Sequence, residues 1–112
     1  MFFFVFGSNL AGRHGKGAAY TAQRDYGAEF GVGEGPTGRA YAIPTKDENL
    51  RTLPLSDIAA SIETFKAFAR EHPEISFGVT RIGCGLAGYT DADIAPMFAN
   101  APENCELPEG WR

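Results

Sequence analysis

Phe2-Phe3-Phe4-Val5-Phe6-Gly7-Ser8-Asn9-Leu10-Ala11-Gly12-Arg13-His14-Gly15-Lys16-Gly17 is the stretch that decides the fold. Phe2 to Phe6 is an unbroken, β-prone apolar run that stops at a glycine, the pattern of a strand covered on both faces. A buried parallel strand is expected. The segment from Gly7 to Gly17 carries four glycines, which suits a backbone that turns sharply or approaches a ligand closely. Ala18 to Tyr26 then reads as a helix that Gly27 ends.

The same alternation continues outward. Gly31 to Gly38 is a turn-rich connector, followed by a strand from Arg39 to Ile43, then Pro44 and the strand end Thr45-Lys46-Asp47. Ser56 is a candidate cap for a helix over 57–71, with Ile58, Ile62, Phe65 and Ala69 on its buried stripe and Glu63, Lys66 and Arg70 facing away. Pro73 closes it. Ile75 to Ile82 reads as a further buried strand, leading into Gly83-Cys84-Gly85-Leu86-Ala87-Gly88-Tyr89 and a short helix capped by Thr90 or Asp91. Ala101 to Arg112 reads as irregular. Strands alternating with helices predict a compact α/β domain, a mixed or parallel sheet with helices on both faces, whose ligands sit beyond the carboxyl ends of the strands. Both glycine-rich loops fall at such ends.

At 112 residues the chain suffices for one domain, 1–112, and not for two cores. With 44% hydrophobic and 21% charged residues it can form a packed interior. A formal net charge of −4 argues against extended duplex-DNA binding through clustered basic residues and leaves room for a local basic pocket. The opening apolar run is too short for a signal peptide or a membrane span, so no membrane association is expected. Cys84 and Cys105 lie far apart and share no metal-ligand spacing with His14 or His72, which predicts reduced thiols in a cytoplasmic protein, with no metal and no cofactor.

A strand, a glycine loop and a helix start together present free backbone N–H groups and the positive end of a helix dipole, which make an anion site suited to a diphosphate. Neither loop matches GxxxxGK[ST] or a complete dinucleotide fingerprint, and tight turning alone would also account for the glycines. Asn9, after a strand end, suits either a ribose hydroxyl contact or an Asx turn. Lys46 reads as a pocket cation, an electrostatic group, a nucleophile when desolvated, or a solvated lysine. His14 reads as a phosphate contact or an exposed loop residue, without a catalytic role. Asp91 and Asp93 fit capping better than catalysis.

Three blocks together resemble the macrodomain superfamily, in the branch of antitoxin DNA ADP-ribosyl glycohydrolases and the terminal ADP-ribose protein glycohydrolase. Asn9 followed by Gly15-Lys16-Gly17-Ala18 is similar to that branch's asparagine and helix start. Thr45-Lys46-Asp47 resembles its Thr-Lys element, and Arg81-Ile82-Gly83-Cys84-Gly85-Leu86 its phosphate loop. The resemblance runs from about Phe2 to Phe98 and implies a compact macrodomain-like fold of the kind found in phages and bacteria. It implies that Asn9 orients the distal ribose and Lys46 is the catalytic lysine. Ser8, Thr45 and the run Gly83, Cys84, Gly85, Leu86, Ala87, Gly88 and Tyr89 would bind the ligand, with Gly15, Lys16 and Gly17 closing the other side. The chain departs from the branch in having no acidic residue before Asn9. It also has Ala87 where protein-directed members have aspartate and DNA-directed members glycine.

The expected function is therefore ADP-ribose binding by a glycohydrolase that removes ADP-ribose from a modified macromolecule, DNA or protein. A DNA substrate would be single-stranded or extruded. The alternatives are non-catalytic sequestration of ADP-ribose or a related NAD-derived nucleotide, and a scaffold that keeps only the fold.

Overall fold

A computed structural model describes residues 1–112. Five strands form one mixed sheet: β1 (Phe2–Asn9), β2 (Gly35–Thr37), β3 (Ala40–Lys46), β4 (Ser76–Val79) and β5 (Cys105–Glu106), in the order β2-β3-β1-β4-β5. β1 pairs in parallel with β3 and β4, β5 is parallel to β4, and β2 is antiparallel to β3. The helices are α1 (Gly17–Tyr26), α2 (Leu55–Glu71) and the short α3 (Asp91–Ile94), which runs into a 3₁₀ turn, Ala95–Phe98.

The first crossover, through α1, carries the chain from β1 to one neighbour. The second, through α2, carries it back over β1 to the other. Parallel crossovers are right-handed, so two that run in opposite directions place their helices on opposite faces of the sheet. Residue alternation along the strands shows it. Phe3 and Val5 of β1, Tyr41 and Ile43 of β3, and Phe77 and Val79 of β4 join Ile58, Ile62 and Phe65 of α2 in a core of 17 buried residues. Phe6, Ala40 and Ala42 point the other way, into a cluster of only six with Ala19 and Ala22 of α1. Alanines on both sides let α1 lie close to the sheet, and Phe4 stacks on Tyr26 at its edge, ring centroids 4.7 Å apart.

The predicted α/β class, with helices on both faces, is the observed one, but several local expectations are corrected. β1 runs three residues beyond Phe6: Gly7 and Ser8 continue its register against Ile43 and Pro44 of β3, and Asn9 pairs with Lys46 after a one-residue shift. β3 runs through Pro44 to Lys46, so it starts one residue after the expected Arg39 and ends one residue before the expected Asp47. α2 starts at Leu55 with Pro54 at the cap position, where the Pro54 carbonyl accepts from Asp57 and Ile58, so Ser56 is inside the first turn and caps nothing. Lys66 does not face solvent: it is buried, donating to the Ala99 carbonyl at 2.9 Å and pairing with Glu63. β4 ends at Val79, since the Ile82 amide turns back onto the Thr80 carbonyl.

The final segment is ordered into the fold, contrary to its irregular composition. Asn104 holds its amide nitrogen 3.0 Å from the carbonyls of Ala69, His72 and Ile75, which sets β5 against β4. Trp111 is buried against Phe98, and Arg112 donates to the carbonyls of Ala101, Pro102 and Cys105. The short helix is capped as expected: Asp93 accepts from the Thr90 amide at 3.0 Å. No helix is long and apolar enough to cross a membrane.

Candidate functional site

Because β1, β3 and β4 are parallel, their carboxyl ends lie at one edge of the sheet, on either side of the point where the winding reverses. That crevice is where open α/β sheets place ligands. Here it is a cavity of about 630 Å³, within the range of small-molecule sites, and the loops after all three strands contribute to it.

The first loop is folded around Asn9. Its Oδ1 accepts from the Arg13 amide at 3.0 Å and its Nδ2 donates to the Arg13 carbonyl at 2.9 Å, so the side chain closes the turn that Asx residues favour. One Nδ2 hydrogen remains for a ligand. Gly12 adopts φ +70° and lies so close to the next connector that a Cβ there would be 2.3 Å from the Gly31 carbonyl carbon, which only glycine permits. Beneath it His14 is 2% exposed, not the exposed loop residue its glycine neighbours suggest. Its Nε2 donates to the Glu29 carbonyl at 3.0 Å and its ring meets Phe6 edge-on, so it braces the loop and does not line the cavity. The loop thereby presents Arg13 and Lys16 to solvent, and α1 begins at Gly17 with no side-chain cap and no acidic residue in its first turn. The Gly17, Ala18 and Ala19 amides donate to no protein group, which leaves the positive end of the helix open at the cavity wall.

The second loop follows β4. Gly83 turns it at φ +76°. Cys84, Gly88 and Tyr89 donate their amides to Arg81, Gly85 and Gly83, whereas the amides of Gly83, Gly85, Leu86 and Ala87 have no protein acceptor. All four of these residues line the cavity, which makes them an amide cradle for anionic oxygens. Gly88 and Tyr89, expected to bind ligand, do not line it. The Tyr89 hydroxyl instead donates to the Leu53 carbonyl at 2.7 Å, and the Thr52 hydroxyl to the Ala87 carbonyl at 3.0 Å, so this loop is fastened to the one after β3. Cys84 is partly buried at the cavity. Burial pushes its thiol up from the ordinary range, and Asp91 adds to the effect.

From β3 come Thr45 and Lys46. The buried Thr45 hydroxyl donates to the Ser8 carbonyl at 3.3 Å, while the Ser8 hydroxyl is spent on the Gly33 carbonyl. Lys46 is half-buried and lines the cavity, and its amine has neither a carboxylate partner nor a hydrogen bond within the protein. The neighbouring Asp47 is turned to the amides of Asn49 and Arg51 and does not reach the cavity.

The structure thus brings Ser8, Asn9, Gly15, Lys16, Gly17, Thr45, Lys46 and residues 83–87 to one cavity. Sequence reasoning missed Arg13, Arg81 and Leu50 as lining residues. Arg13 and Arg81 stood inside the quoted glycine blocks, and their charge was the available signal. Arg81 is held by Asp91 at 2.7 Å. Nothing in the sequence marked Leu50. The electrostatic character is one-sided: Arg13, Lys16, Lys46 and Arg81 line the cavity and no Asp or Glu does, in a chain whose net charge is −4. No protein-family model, curated protein or solved structure matches this chain.

Proposed function

We propose that the cavity binds an ADP-ribose-type nucleotide and that the chain is a glycohydrolase releasing ADP-ribose from a modified macromolecule. One observation carries this reading: two sets of unpartnered backbone amides and the cations Arg13, Lys16 and Lys46 meet in one cavity lined by no carboxylate, with Arg81, paired to Asp91, beside them. Such a surface suits a diphosphate, because both the fixed amide dipoles and the side-chain charges favour anionic oxygens. The three motif blocks that resemble macrodomain glycohydrolases all contribute to this cavity, which supports ADP-ribose over other diphosphates.

In this mechanism the amides of Gly83 to Ala87 and the start of α1 hold the diphosphate, and the free Nδ2 hydrogen of Asn9 meets the distal ribose. Lys46 then stands as the group that steadies or captures the sugar as the glycosidic bond to the modified group breaks and water adds at the anomeric carbon. Ala87 places the chain nearer to the DNA-directed members than to the protein-directed ones. The reading takes the protein as cytoplasmic, with ADP-ribosylated DNA or protein as its partner.

A second reading, non-catalytic capture of ADP-ribose or a related NAD-derived nucleotide, is favoured by the lack of any carboxylate at the cavity to move a proton to or from water. Lys46→Ala separates the two. Under the glycohydrolase reading it lowers release of ADP-ribose from modified DNA or protein by about 100-fold or more while calorimetric affinity for ADP-ribose changes only a few-fold. Wild-type protein that binds ADP-ribose but releases none from either substrate supports capture instead. No heat with ADP-ribose at millimolar concentration sinks both.

A further inference from the structure

The loop from Lys46 to Thr52 ends where it begins, since Lys46 and Thr52 pair across it, and Asp47 closes it. The Asp47 amide donates to the Arg51 carbonyl at 2.8 Å, its carbonyl accepts from the Leu50 amide at 3.1 Å, and its Oδ1 accepts from the amides of Asn49 and Arg51. In such a turn aspartate suits the first position and glycine the fourth, where the chain passes into the left-handed region. The fourth residue here is Leu50, at φ +64°. The other non-glycine residue with a positive φ is Asn100, whose short polar side chain tolerates it.

A leucine does not tolerate it, and nothing inside the protein offsets the strain. Leu50 belongs to neither hydrophobic core and is 50% exposed, whereas Leu53 and Leu55, just after it, pack on the larger core. Its side chain is left at the cavity. Strain of this kind gathers at ligand clamps and active sites, where binding uses the group it holds in place.

We infer that Leu50 is a ligand-binding residue, whose side chain packs on the C–H face of the ribose that Lys46 addresses and shields that sugar from water. This rests on the nucleotide reading above. The loop returns to Lys46 within a few residues, so Leu50 belongs to the lysine's end of the cavity, while the amide cradle of residues 83–87 follows β4. Because the turn fixes its backbone beforehand, Leu50 adds apolar burial on binding without ordering a loop.

Two variants separate this role from a structural one. Leu50→Asn and Leu50→Gly both suit a left-handed backbone and remove the apolar side chain, so each is expected to raise the melting temperature of the free protein by about 2–4 °C. Calorimetry on the same proteins is expected to show ADP-ribose bound about fivefold to tenfold more weakly, and ADP, which lacks the second ribose, bound within about twofold of wild type. Leu50→Met keeps an apolar side chain and is expected to hold ADP-ribose affinity within about threefold of wild type. Unchanged ADP-ribose affinity in the first two variants overturns the contact, and a lower melting temperature in both shows a leucine that the fold itself requires, which overturns the strain argument. Equal weakening of ADP and ADP-ribose overturns the placement at the second ribose while leaving the nucleotide reading intact. Wild-type protein that binds neither nucleotide overturns that reading and this assignment with it.

Discussion

The two glycine-rich loops share one cavity yet are built on opposite principles. The first is wedged from behind: Gly12 against Gly31, His14 on Phe6 and Glu29, Asn9 folded onto Arg13. Gly12 serves packing, whereas Gly15 and Gly17 have open space around them, and the groups it turns to the cavity are side-chain cations and a helix start. The second is open at its tip, where a Cβ on Gly85 would meet nothing within 4 Å, and it is held at its base, by Thr52 and Leu53 and by the packing of Cys84 and Tyr89 on the core. Its glycines serve the backbone amides. A glycine-rich stretch therefore says that backbone must come close to something, and the structure decides whether that something is the protein or a ligand.

The sharpest way to break this contrast is a matched pair of alanines. Gly12→Ala forces a Cβ into backbone at 2.3 Å and adds left-handed strain, and is expected to cost about 3 kcal/mol in urea denaturation. Gly85→Ala is expected to change stability by less than about 0.5 kcal/mol. Equal costs would show that both loops are structural. Asn9→Ala leaves the Arg13 amide and carbonyl unpaired and should lower stability by about 1–2 kcal/mol. Asn9→Asp keeps the acceptor for the Arg13 amide but sets a carboxylate oxygen against the Arg13 carbonyl and beside the anion, so its loss of ADP-ribose affinity should exceed that of Asn9→Ala. The reverse order would take Asn9 out of ligand contact.

The smallest effect concerns the thiols. With its thiol raised by burial and by Asp91, Cys84 holds less thiolate at pH 8 than an ordinary cysteine, so alkylation by iodoacetamide should be slow there and accelerate only as pH rises beyond the usual thiol range. Asp91→Asn should bring that midpoint down. Cys105, pushed up to about 11 by burial in the core, should stay unmodified in the folded protein and serves as the internal control. A Cys84 that reacts as fast as a free thiol at pH 8 would show the second loop to be more open than described.

What the sequence disclosed follows range. The strand, loop and helix of residues 2–27 were legible because their signals are local, down to Gly27, whose φ of 73° ends α1. The 3.6-residue stripe of α2 was legible for the same reason. Lys66 was not, because the carbonyl that receives it belongs to Ala99, 33 residues away, and a lysine three positions after a glutamate reads as a surface pair. His14 depended likewise on Glu29 and Phe6, and the tail on Asn104 reaching back to the end of α2. At the site, Lys46 and the amide cradle sat in recognisable blocks, whereas Leu50 entered through a turn that Asp47 organises with Asn49 and Arg51. No local pattern announces which way such a turn points its leucine.

The hydrogen bonds from Thr52 to Ala87 and from Tyr89 to Leu53 tie the loop that begins at Lys46 to the loop that carries the free amides. A ligand seated on those amides therefore finds the lysine already at a set distance along its own length. Under the glycohydrolase reading proposed above, the backbone part of the entropy of bringing amine and sugar together is lost when the chain folds, which leaves only the rotamer freedom of the lysine side chain to be lost on binding.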